Sequence, residues 1–302
     1  MATPPASLDD WIVGLTGTPI DRLGAPMLGA STATIWPVTA GDRSLIVKVY
    51  DLEIDGVGAD DVRRDAAAMR AAAEIGLVAP RLVAADEGGE RLGWPAVVMT
   101  RLLGEPRVDG GPDPEAWVDG LADVLIAVGQ APLPAEPLHE RRPWWDAPIE
   151  PPTWTSDPGL WRAVGDALEA PLPAGPSGFI HRDFHQLNVL WDGPEPIGLV
   201  DWVNGCLGPI ESDIACCRLN IVCAEDAGDG LGLADRFVER CRDAGLAWHP
   251  LWDLEWLAGG GDIARMVEAN RSLGARSTVE ATGARFDEVI RRALDAAERW
   301  NG

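Results

Sequence analysis

The 302-residue sequence has one lysine, so 24 of its 25 basic residues are arginine. It has no CxxC pair among its five cysteines, which argues against a zinc site and against a disulfide framework. Its N-terminus shows no basic stretch followed by an apolar core, and no run approaches the ~18–20 apolar residues that a membrane span requires. These absences predict a soluble cytoplasmic protein with reduced cysteines, without a signal peptide or a membrane partner.

Positive charge is scarce overall, and the formal net charge is −23. A field of that sign disfavours binding to nucleic acid and to anionic membranes, and it favours cationic small partners. A generally acidic surface would give the same value, so the charge alone leaves both explanations open.

The first hundred residues follow a β-β-α-β-β pattern. The predicted elements are two strands around a turn, an alanine-rich helix and two further strands, at 27–38, 44–50, 60–76, 81–86 and 94–100.

The rest of the chain has a mainly helical pattern. Apolar residues recur at helical spacing over 115–130, and the pattern is helical again from 211 to the end. A Pro- and Trp-rich stretch at 132–176 is expected to be irregular. Short strands are expected around 178–202.

The lone lysine, Lys48, stands in the apolar strand LIVKVYD, where an ammonium group needs a compensating partner. Far downstream, HRDFHQLN supplies Asp183 and Asn188, and LVDW supplies Asp201, at the spacing of a kinase catalytic loop followed by a metal-binding aspartate. A carboxylate is needed to orient an acceptor hydroxyl and take its proton, which predicts Asp183 as the base. Mg²⁺ prefers hard oxygen ligands, which predicts Asn188 and Asp201 for the metal and Lys48 for the nucleotide phosphates.

Over residues 178–217, the motifs FIHRDFHQLNVLW, IGLVDW and GPIESDIA resemble the aminoglycoside phosphotransferase/choline kinase-type family of small-molecule kinases. His185 is typical of that family, where protein kinases acting on Ser or Thr usually have lysine. The resemblance implies that Asp213 braces the catalytic loop through backbone hydrogen bonds, although a helix N-cap is an equally compatible role for it. It makes His181 and Arg182 support residues together with His185.

The family resemblance also implies a fold, which is α+β, bilobal and protein-kinase-like. A small β-rich N-lobe would bind nucleotide and occupy 1–104. A larger, mainly helical C-lobe would carry catalysis and substrate binding and occupy 105–302.

Further nucleotide contacts are implied by the same resemblance. Asp65 aligns with the helix residue, usually Glu, that pairs with the lysine, and Glu74 is the alternative. The remaining contacts fall in the loop over the phosphates and in a hinge whose backbone amides would bind the purine: Ser31, Thr32, Met99, Thr100 and Leu102.

The predicted function is transfer of the γ-phosphate of ATP or GTP, with Mg²⁺, to a hydroxyl of a small molecule such as an aminoglycoside, amino sugar or other amino-alcohol. A cationic acceptor would meet acids and aromatic residues of the C-lobe, and the candidates are Asp229, Asp262, Glu268 and Trp252. For Trp252, the helical spacing of the tryptophans around it favours core packing instead. The protein is expected to be a monomer or a homodimer.

Three other classes of protein compete with this prediction. A metal-dependent hydrolase could use His181, Asp183 and His185 as an HxDxH cluster, if the segment is extended and the three side chains share one side. It would leave Lys48 and Asn188 unexplained. A non-catalytic binding protein on a kinase scaffold would not need the four chemical residues, and a protein kinase would be expected to have an A-P-E motif after the metal-binding aspartate.

Overall fold

The computed structural model describes residues 4–27, 33–51, 58–144, 149–224, 230–260, 263–272 and 274–300, apart from the side chains of 299 and 300. The chain divides into two compact units. The first consists of Met1–Leu103, Pro134–Leu138 and Gly198–Gly205, and the second of Gly104–Leu133, His139–Ile197 and Cys206–Gly302. Antiparallel strands and helices together make the α+β fold that the sequence predicts.

The first unit is built on a five-stranded antiparallel sheet. In chain order its elements are α1 (Leu8–Thr16), β1 (Arg22–Leu23), β2 (Thr34–Ala40), β3 (Arg43–Val49), α2 (Ala59–Glu74), β4 (Leu82–Asp86) and β5 (Ala96–Thr100). The strand order is β1-β2-β3-β5-β4, so β3 lies at the centre of the sheet and carries Lys48 there.

Strand β3 presents different side chains to the two faces of the sheet. Leu45, Val47 and Val49 are buried in the apolar core to which α1 contributes. Because side chains alternate along a strand, Lys48 and Tyr50 lie on the opposite face. This alternation directs an ammonium group and a phenol to the same side.

The second unit combines short strands with most of the helices. Its elements are β6 (Glu105–Pro106), α3 (Pro114–Gly129), α4 (Pro158–Leu168), β7 (Ser177–Ile180), β8 (Val189–Asp192), most of β9 (Glu195–Leu199), β10 (Cys206–Pro209), α5 (Glu211–Ala224), α6 (Gly230–Asp243), α7 (Leu251–Gly260), α8 (Ile263–Ser272) and α9 (Val279–Trp300). The end of β9 and the 3-10 turn Trp202–Asn204 belong to the first unit. Strand β7 pairs antiparallel with β10, and β6 pairs with β8.

Helix α5 lies at the centre of the second unit, and its residues are buried along its whole length. A helix that is buried all round belongs to the interior of a large domain. None of the helices within the described ranges combines the length and the apolar character that crossing a lipid bilayer requires.

Two expectations about local structure are wrong. The stretch 132–176 contains α4, which begins with Asp157 as its N-cap, accepting a hydrogen bond from the Gly159 amide at 3.0 Å, and with Pro158 in its first turn. The last predicted strand ends at Leu199 rather than continuing to 202, because Asp201 adopts a left-handed conformation.

Candidate active site

In the first unit, Lys48 contacts two carboxylates. Its Nζ donates to Asp201 Oδ1 at 2.7 Å and to Asp65 Oδ2 at 3.2 Å. Lys48 is 3% exposed and Asp65 is 1% exposed, whereas the Asp201 side chain is 37% exposed. The ammonium is therefore buried, and one of its two partners remains accessible to solvent.

The charges of this group explain how an ammonium is tolerated inside the protein. Burial by itself lowers the pKa of Lys48, but the carboxylates of Asp201 and Asp65 outweigh burial and hold the pKa well above the ordinary 10.5. Burial raises the pKa of Asp65, and the Lys48 ammonium opposes that rise. Lys48 is therefore a fixed positive charge at neutral pH.

Each of the three groups is placed by a different element. Lys48 lies on β3, and Asp65 lies on the buried face of α2 between Val62 and Met69. Asp201 follows β9, where the Leu199 amide donates to the Val78 carbonyl at 3.0 Å. Residues far apart in sequence are thus brought to one ammonium.

In the second unit, the loop after β7 is anchored by Asp213 in the first turn of α5. The amides of His181 and Arg182 donate to Asp213 Oδ2 and Oδ1 at 2.7 and 2.6 Å. Asp213 is fully buried, and burial raises its pKa to about 7 although both backbone hydrogen bonds oppose the rise. The structure thus gives Asp213 the bracing contacts that the family resemblance implies.

The loop residues Asp183, His185 and Asn188 lie close together in the second unit. Asn188 Nδ2 donates to the Asp183 carbonyl at 2.9 Å, and His185 Nε2 lies 3.6 Å from Asp183 Oδ1. The Leu187 amide approaches His185 Nδ1 at 3.3 Å, and His185 Nε2 also lies 3.2 Å from Asn188 Nδ2, so the ring contacts both of its neighbours in the loop. The Asp183 side chain is 39% exposed, so its carboxylate is accessible to a substrate hydroxyl.

Both motif segments contain a strained backbone position. Among the residues that the structure describes, Arg182 and Asp201 are the two non-glycine residues with positive φ, at 66° and 64°. Such conformations are costly for residues other than glycine and cluster at functional sites. The strain at Asp201 ends β9 and turns the carboxylate toward Lys48.

The hinge residues lie at the end of β5. Met99 is within the strand and buried, while the Thr100 and Arg101 amides donate to the carbonyls of Arg81 and Ser44 at 2.9 and 3.0 Å. Within the described ranges, Leu102 therefore carries the first amide after β5 that makes no hydrogen bond.

Six predicted contacts of the nucleotide and the acceptor remain to be located. Ser31 and Thr32 lie outside the described residues, as do Asp229 and Asp262. Glu268 is exposed on α8. Trp252 is 2% exposed, and its indole N–H donates to the Pro173 carbonyl at 2.7 Å, so it packs in the core of the second unit.

Glu74, the alternative partner for Lys48, is engaged elsewhere. Its carboxylate accepts hydrogen bonds from the amides of Ala135 and Glu136 at 2.9 and 3.2 Å. This leaves Asp65 as the helix α2 residue that pairs with the lysine.

The arrangement required by the hydrolase alternative is not found. The segment after His181 is not extended, because Arg182 has positive φ, and the buried His181 ring packs edge-on against Phe184 at 6.4 Å. In the part of the chain that the structure describes, no three His, Cys, Asp or Glu side chains form a group that could hold a metal ion.

Each unit nevertheless has a group of the kind that a metal–nucleotide complex would use. An ammonium has three donors, and two of those on Lys48 are used by carboxylates, which leaves one for a phosphate oxygen. Because the Asn188 amide nitrogen is bonded to a carbonyl, its side-chain oxygen is the atom left for a ligand. Mg²⁺ commonly takes only one or two protein oxygens together with phosphates, so a single such oxygen already fits this kind of ligand.

One side chain of the group around Lys48, that of Tyr50, was not predicted from the sequence. Tyr50 Oη donates to Asp65 Oδ2 at 2.9 Å, the same oxygen that accepts from Lys48. The spacing of two residues from Lys48 on a strand is the signal that could have found it.

Comparison with known proteins identifies a matching family and several similar proteins. The model of the Phosphotransferase enzyme family (APH) matches residues 26–259, which is well over half of the chain. A homoserine kinase of Pseudomonas aeruginosa is 42% identical over 62 residues, which is 20% of this chain and 19% of that protein. An N-acetylmuramate/N-acetylglucosamine kinase of Neisseria meningitidis serogroup B is 30% identical over 103 residues, 32% of this chain and 30% of that protein.

The chain therefore matches about a fifth of the length of the curated homoserine kinase. The likeness to solved structures extends much further. A thermostable mutant of the aminoglycoside phosphotransferase APH(4)-Ia, in ternary complex with ADP and hygromycin B, has a TM-score of 0.62 and 18% identity, covering 95% of this chain and 98% of that one. This confirms the predicted protein-kinase-like fold, and the match over 26–259 establishes that the chain belongs to the phosphotransferase enzyme family.

Proposed function

We propose that this protein is a Mg²⁺-dependent kinase that moves the γ-phosphate of ATP or GTP to a hydroxyl group of a small molecule. The observation that carries the proposal is the environment of Lys48, the one lysine of the chain, which is buried and ion-paired with Asp65 and Asp201. Burying a charge costs free energy, and we infer that this protein retains the Lys48 ammonium because its role requires it. Lysine is suited to a phosphate oxygen because it is a compact point charge.

On the nucleotide side, the role of Lys48 is to bind phosphate with the donor that its carboxylate partners leave over. The amide of Leu102 is the candidate for the purine, because the preceding amides are used within the sheet. Ser31 and Thr32 remain predicted phosphate contacts. The assignment of nucleotide binding to 1–104 and of catalysis to 105–302 likewise remains a prediction.

Asn188 and Asp201 are the proposed metal ligands, one through an amide oxygen and the other through a carboxylate. The bound metal–nucleotide would supply the phosphoryl group and neutralise the charge that develops during transfer. The contribution of the chain is to hold both ligands still. The Asn188 amide is tied to the Asp183 carbonyl, and Asp201 is tied to Lys48.

Asp183 is the proposed catalytic residue. Its partly exposed carboxylate accepts the proton of the acceptor hydroxyl, while the anchored loop fixes its position. His185 contributes by position, because its Nε2 lies 3.6 Å from an Asp183 carboxylate oxygen and 3.2 Å from Asn188 Nδ2, between the proposed base and a proposed metal ligand.

The acceptor class follows from charge and from relatives. Homoserine, amino sugars and aminoglycosides are alcohols that also carry an amine or an amide. Two acids of α7 are unavailable to a cationic acceptor, because Asp253 accepts from Arg218 at 2.6 Å and Glu255 pairs with Arg141. Asp229, Asp262 and Glu268 remain predicted acceptor contacts.

The proposal extends to location and assembly. All five cysteines are buried free thiols, which is consistent with a reducing cytoplasm. There the protein would act as a monomer or a homodimer.

The test is nucleotide turnover with a panel of acceptors. Purified protein with Mg²⁺ and ATP or GTP is expected to release nucleoside diphosphate in response to at least one of homoserine, N-acetylglucosamine, N-acetylmuramate and hygromycin B. Asp183→Ala should reduce that turnover by about 100-fold or more, since a positioned base contributes roughly 10²–10⁴-fold, while nucleotide binding measured by calorimetry persists. Asp192→Ala, at an exposed aspartate of the same unit, is the matched control and should leave turnover unchanged. Equal turnover in the wild type and Asp183→Ala would contradict the assigned role.

A further inference from the structure

We propose that Tyr50 is a positioning residue for phosphoryl transfer, and that its hydroxyl holds the Asp65 carboxylate against Lys48. This inference rests on the proposed function, because it assigns a purpose to the geometry of the Lys48 ammonium. It concerns a side chain whose observed contacts are with Asp65 and the Lys48 ammonium.

The contact geometry places Tyr50 behind the ion pair. Tyr50 Oη and Lys48 Nζ both donate to Asp65 Oδ2, at 2.9 and 3.2 Å. The ring of Tyr50 also lies against the ammonium, with Nζ 5.2 Å from the ring centroid. One carboxylate oxygen is therefore fixed from two directions, by a neutral donor and by a charged one.

The backbone holds Tyr50 firmly enough for such a role. The Tyr50 amide donates to the Pro95 carbonyl at 2.9 Å, which continues the sheet by one residue beyond β3. The side chain is 2% exposed, so water does not compete for its hydroxyl. Since Tyr50 and Lys48 are two residues apart on the strand, their relative placement is set by the sheet itself.

Asp65 is one methylene shorter than the glutamate usual at this position, which explains why the Tyr50 hydroxyl is needed to hold its carboxylate near Lys48. Asp65 reaches Lys48 at 3.2 Å, which is longer than the 2.7 Å contact with Asp201. Without a second bond, the Asp65 carboxylate could rotate about its side-chain torsion and the ammonium would follow Asp201 alone. The Tyr50 hydroxyl prevents this rotation of the Asp65 carboxylate. It thereby fixes the direction of the third N–H of Lys48, the one that neither carboxylate accepts.

The hydroxyl is suited to this task because it does not ionise. Burial raises the pKa of Tyr50 well above the ordinary 10.0, and the adjacent Asp65 carboxylate raises it further. The phenol therefore remains a hydrogen-bond donor throughout the working range of pH.

Tyr50→Phe is the direct test, because it keeps the ring against the ammonium and removes only the hydroxyl. We expect kcat to fall by about tenfold with a smaller change in nucleotide affinity, which is the scale of one hydrogen bond to a charged group. The same substitution in an Asp65→Asn background should cost less than about threefold, because no charged pair is left for the hydroxyl to hold. Thr16→Val removes a part-buried hydroxyl of the same unit that bonds only to backbone, and should leave kcat unchanged.

A second measurement does not depend on turnover. Protein labelled with ¹⁵N-lysine gives a single ammonium signal by NMR, because Lys48 is the one lysine in the sequence. Tyr50→Phe should accelerate exchange of the ammonium protons with water several-fold in the nucleotide-free protein, and it should leave exchange unchanged in the Asp65→Asn background. Melting temperatures of all variants identify any that fail to fold.

The outcomes separate this inference from the proposed function. If the wild type transfers phosphate while Tyr50→Phe has the same effect in both backgrounds, Tyr50 has only a general structural role and the inference is wrong. If the wild type transfers no phosphate but ammonium exchange responds as expected, the positioning contact is real and the proposed function is wrong. An unaltered exchange rate in Tyr50→Phe overturns the inference directly.

Discussion

At the residue scale, the proposed chemistry depends on one buried ammonium, that of Lys48, and on the carboxylates that compensate its charge. Removing a partner from a buried ion pair costs about 3–5 kcal/mol, because the remaining charge is left without compensation. Lys48 has two such partners, and the more exposed of them, Asp201, is the proposed metal ligand. The ammonium proposed to bind phosphate is thus held by two carboxylates in the nucleotide-free protein.

Lys48→Arg is predicted to inactivate the protein although the charge is kept. A planar guanidinium is larger than an ammonium and directs its donors differently, so it cannot keep both carboxylate contacts in a site that is 3% exposed. We expect turnover to fall by about 100-fold or more and the melting temperature to drop by several degrees. Both are measured on the purified variant.

Arg43→Lys is the matched control for this substitution, because Arg43 is exposed on the same strand. It exchanges the same two side chains in the opposite direction and should change neither turnover nor the melting temperature. Wild-type turnover in Lys48→Arg would mean that the lone lysine has no special chemical role.

At the element scale, the loop after β7 depends on the start of α5. Two consecutive amides, those of His181 and Arg182, share the carboxylate of Asp213, and this arrangement holds Arg182 in its left-handed conformation. Asp183 comes next in the chain, so its orientation is inherited from this anchor. The helix α5 is rigid because it is buried along its whole length.

Asp213 predicts a pH dependence of stability. Its pKa is raised from 3.8 to about 7, with burial as the first cause, so the folded protein binds this proton more tightly than the unfolded chain. The contribution of this group to the free energy of unfolding is therefore complete below about pH 4, and it is lost as the pH rises through about 7. Asp213→Asn cannot titrate. The difference in the free energy of unfolding between the wild type and Asp213→Asn should decrease as the pH rises from about 4 to about 7, as measured by urea unfolding.

Asp113→Asn provides the comparison, because Asp113 is an exposed N-cap whose side chain accepts from the Ala116 amide, and asparagine caps helices equally well. Its difference from the wild type should stay constant over the same pH range. A constant difference for Asp213→Asn as well would show that this carboxyl does not titrate with a raised pKa.

At the scale of the whole molecule, the net charge of −23 bears on which acceptor is used. A negative field raises the local concentration of cations and accelerates their association, and salt screens the effect over about 10 Å at 0.1 M. If the acceptor is a cationic aminoglycoside, kcat/KM should fall several-fold as NaCl increases from about 20 to about 300 mM. For a neutral acceptor such as N-acetylglucosamine, kcat/KM should change little over this range.

This salt series is measured with the same enzyme and nucleotide for both acceptors, so the neutral acceptor reports any effect of salt on catalysis itself. A steep salt dependence for both would place the electrostatic effect on the nucleotide rather than on the acceptor.

The local pattern of apolar and polar residues was sufficient to predict many of the strands and helices. The strands around the turn at 40–43 and the helix from residue 59 follow from alternation and from alanine-rich helical spacing, and their bounds were predicted to within a few residues at β3 and α2. Helix α4 was missed because Pro and Gly dominate its surroundings, although Asp157 and Pro158 form a recognisable helix start. Helix α1 was not predicted either, since its nine residues are stabilised mainly by packing on the sheet.

The sequence by itself determined which candidate residues are present and in what order: one lysine, two aspartates and an asparagine at the spacing of a phosphotransferase. Only the tertiary structure decided which groups share an oxygen, which backbone positions are strained and which acids are already neutralised by arginine. The reason is physical. Residue types and spacing are local properties, whereas the partners of a buried charge come from elements distant in sequence, as Asp201 comes to Lys48 from 153 residues away.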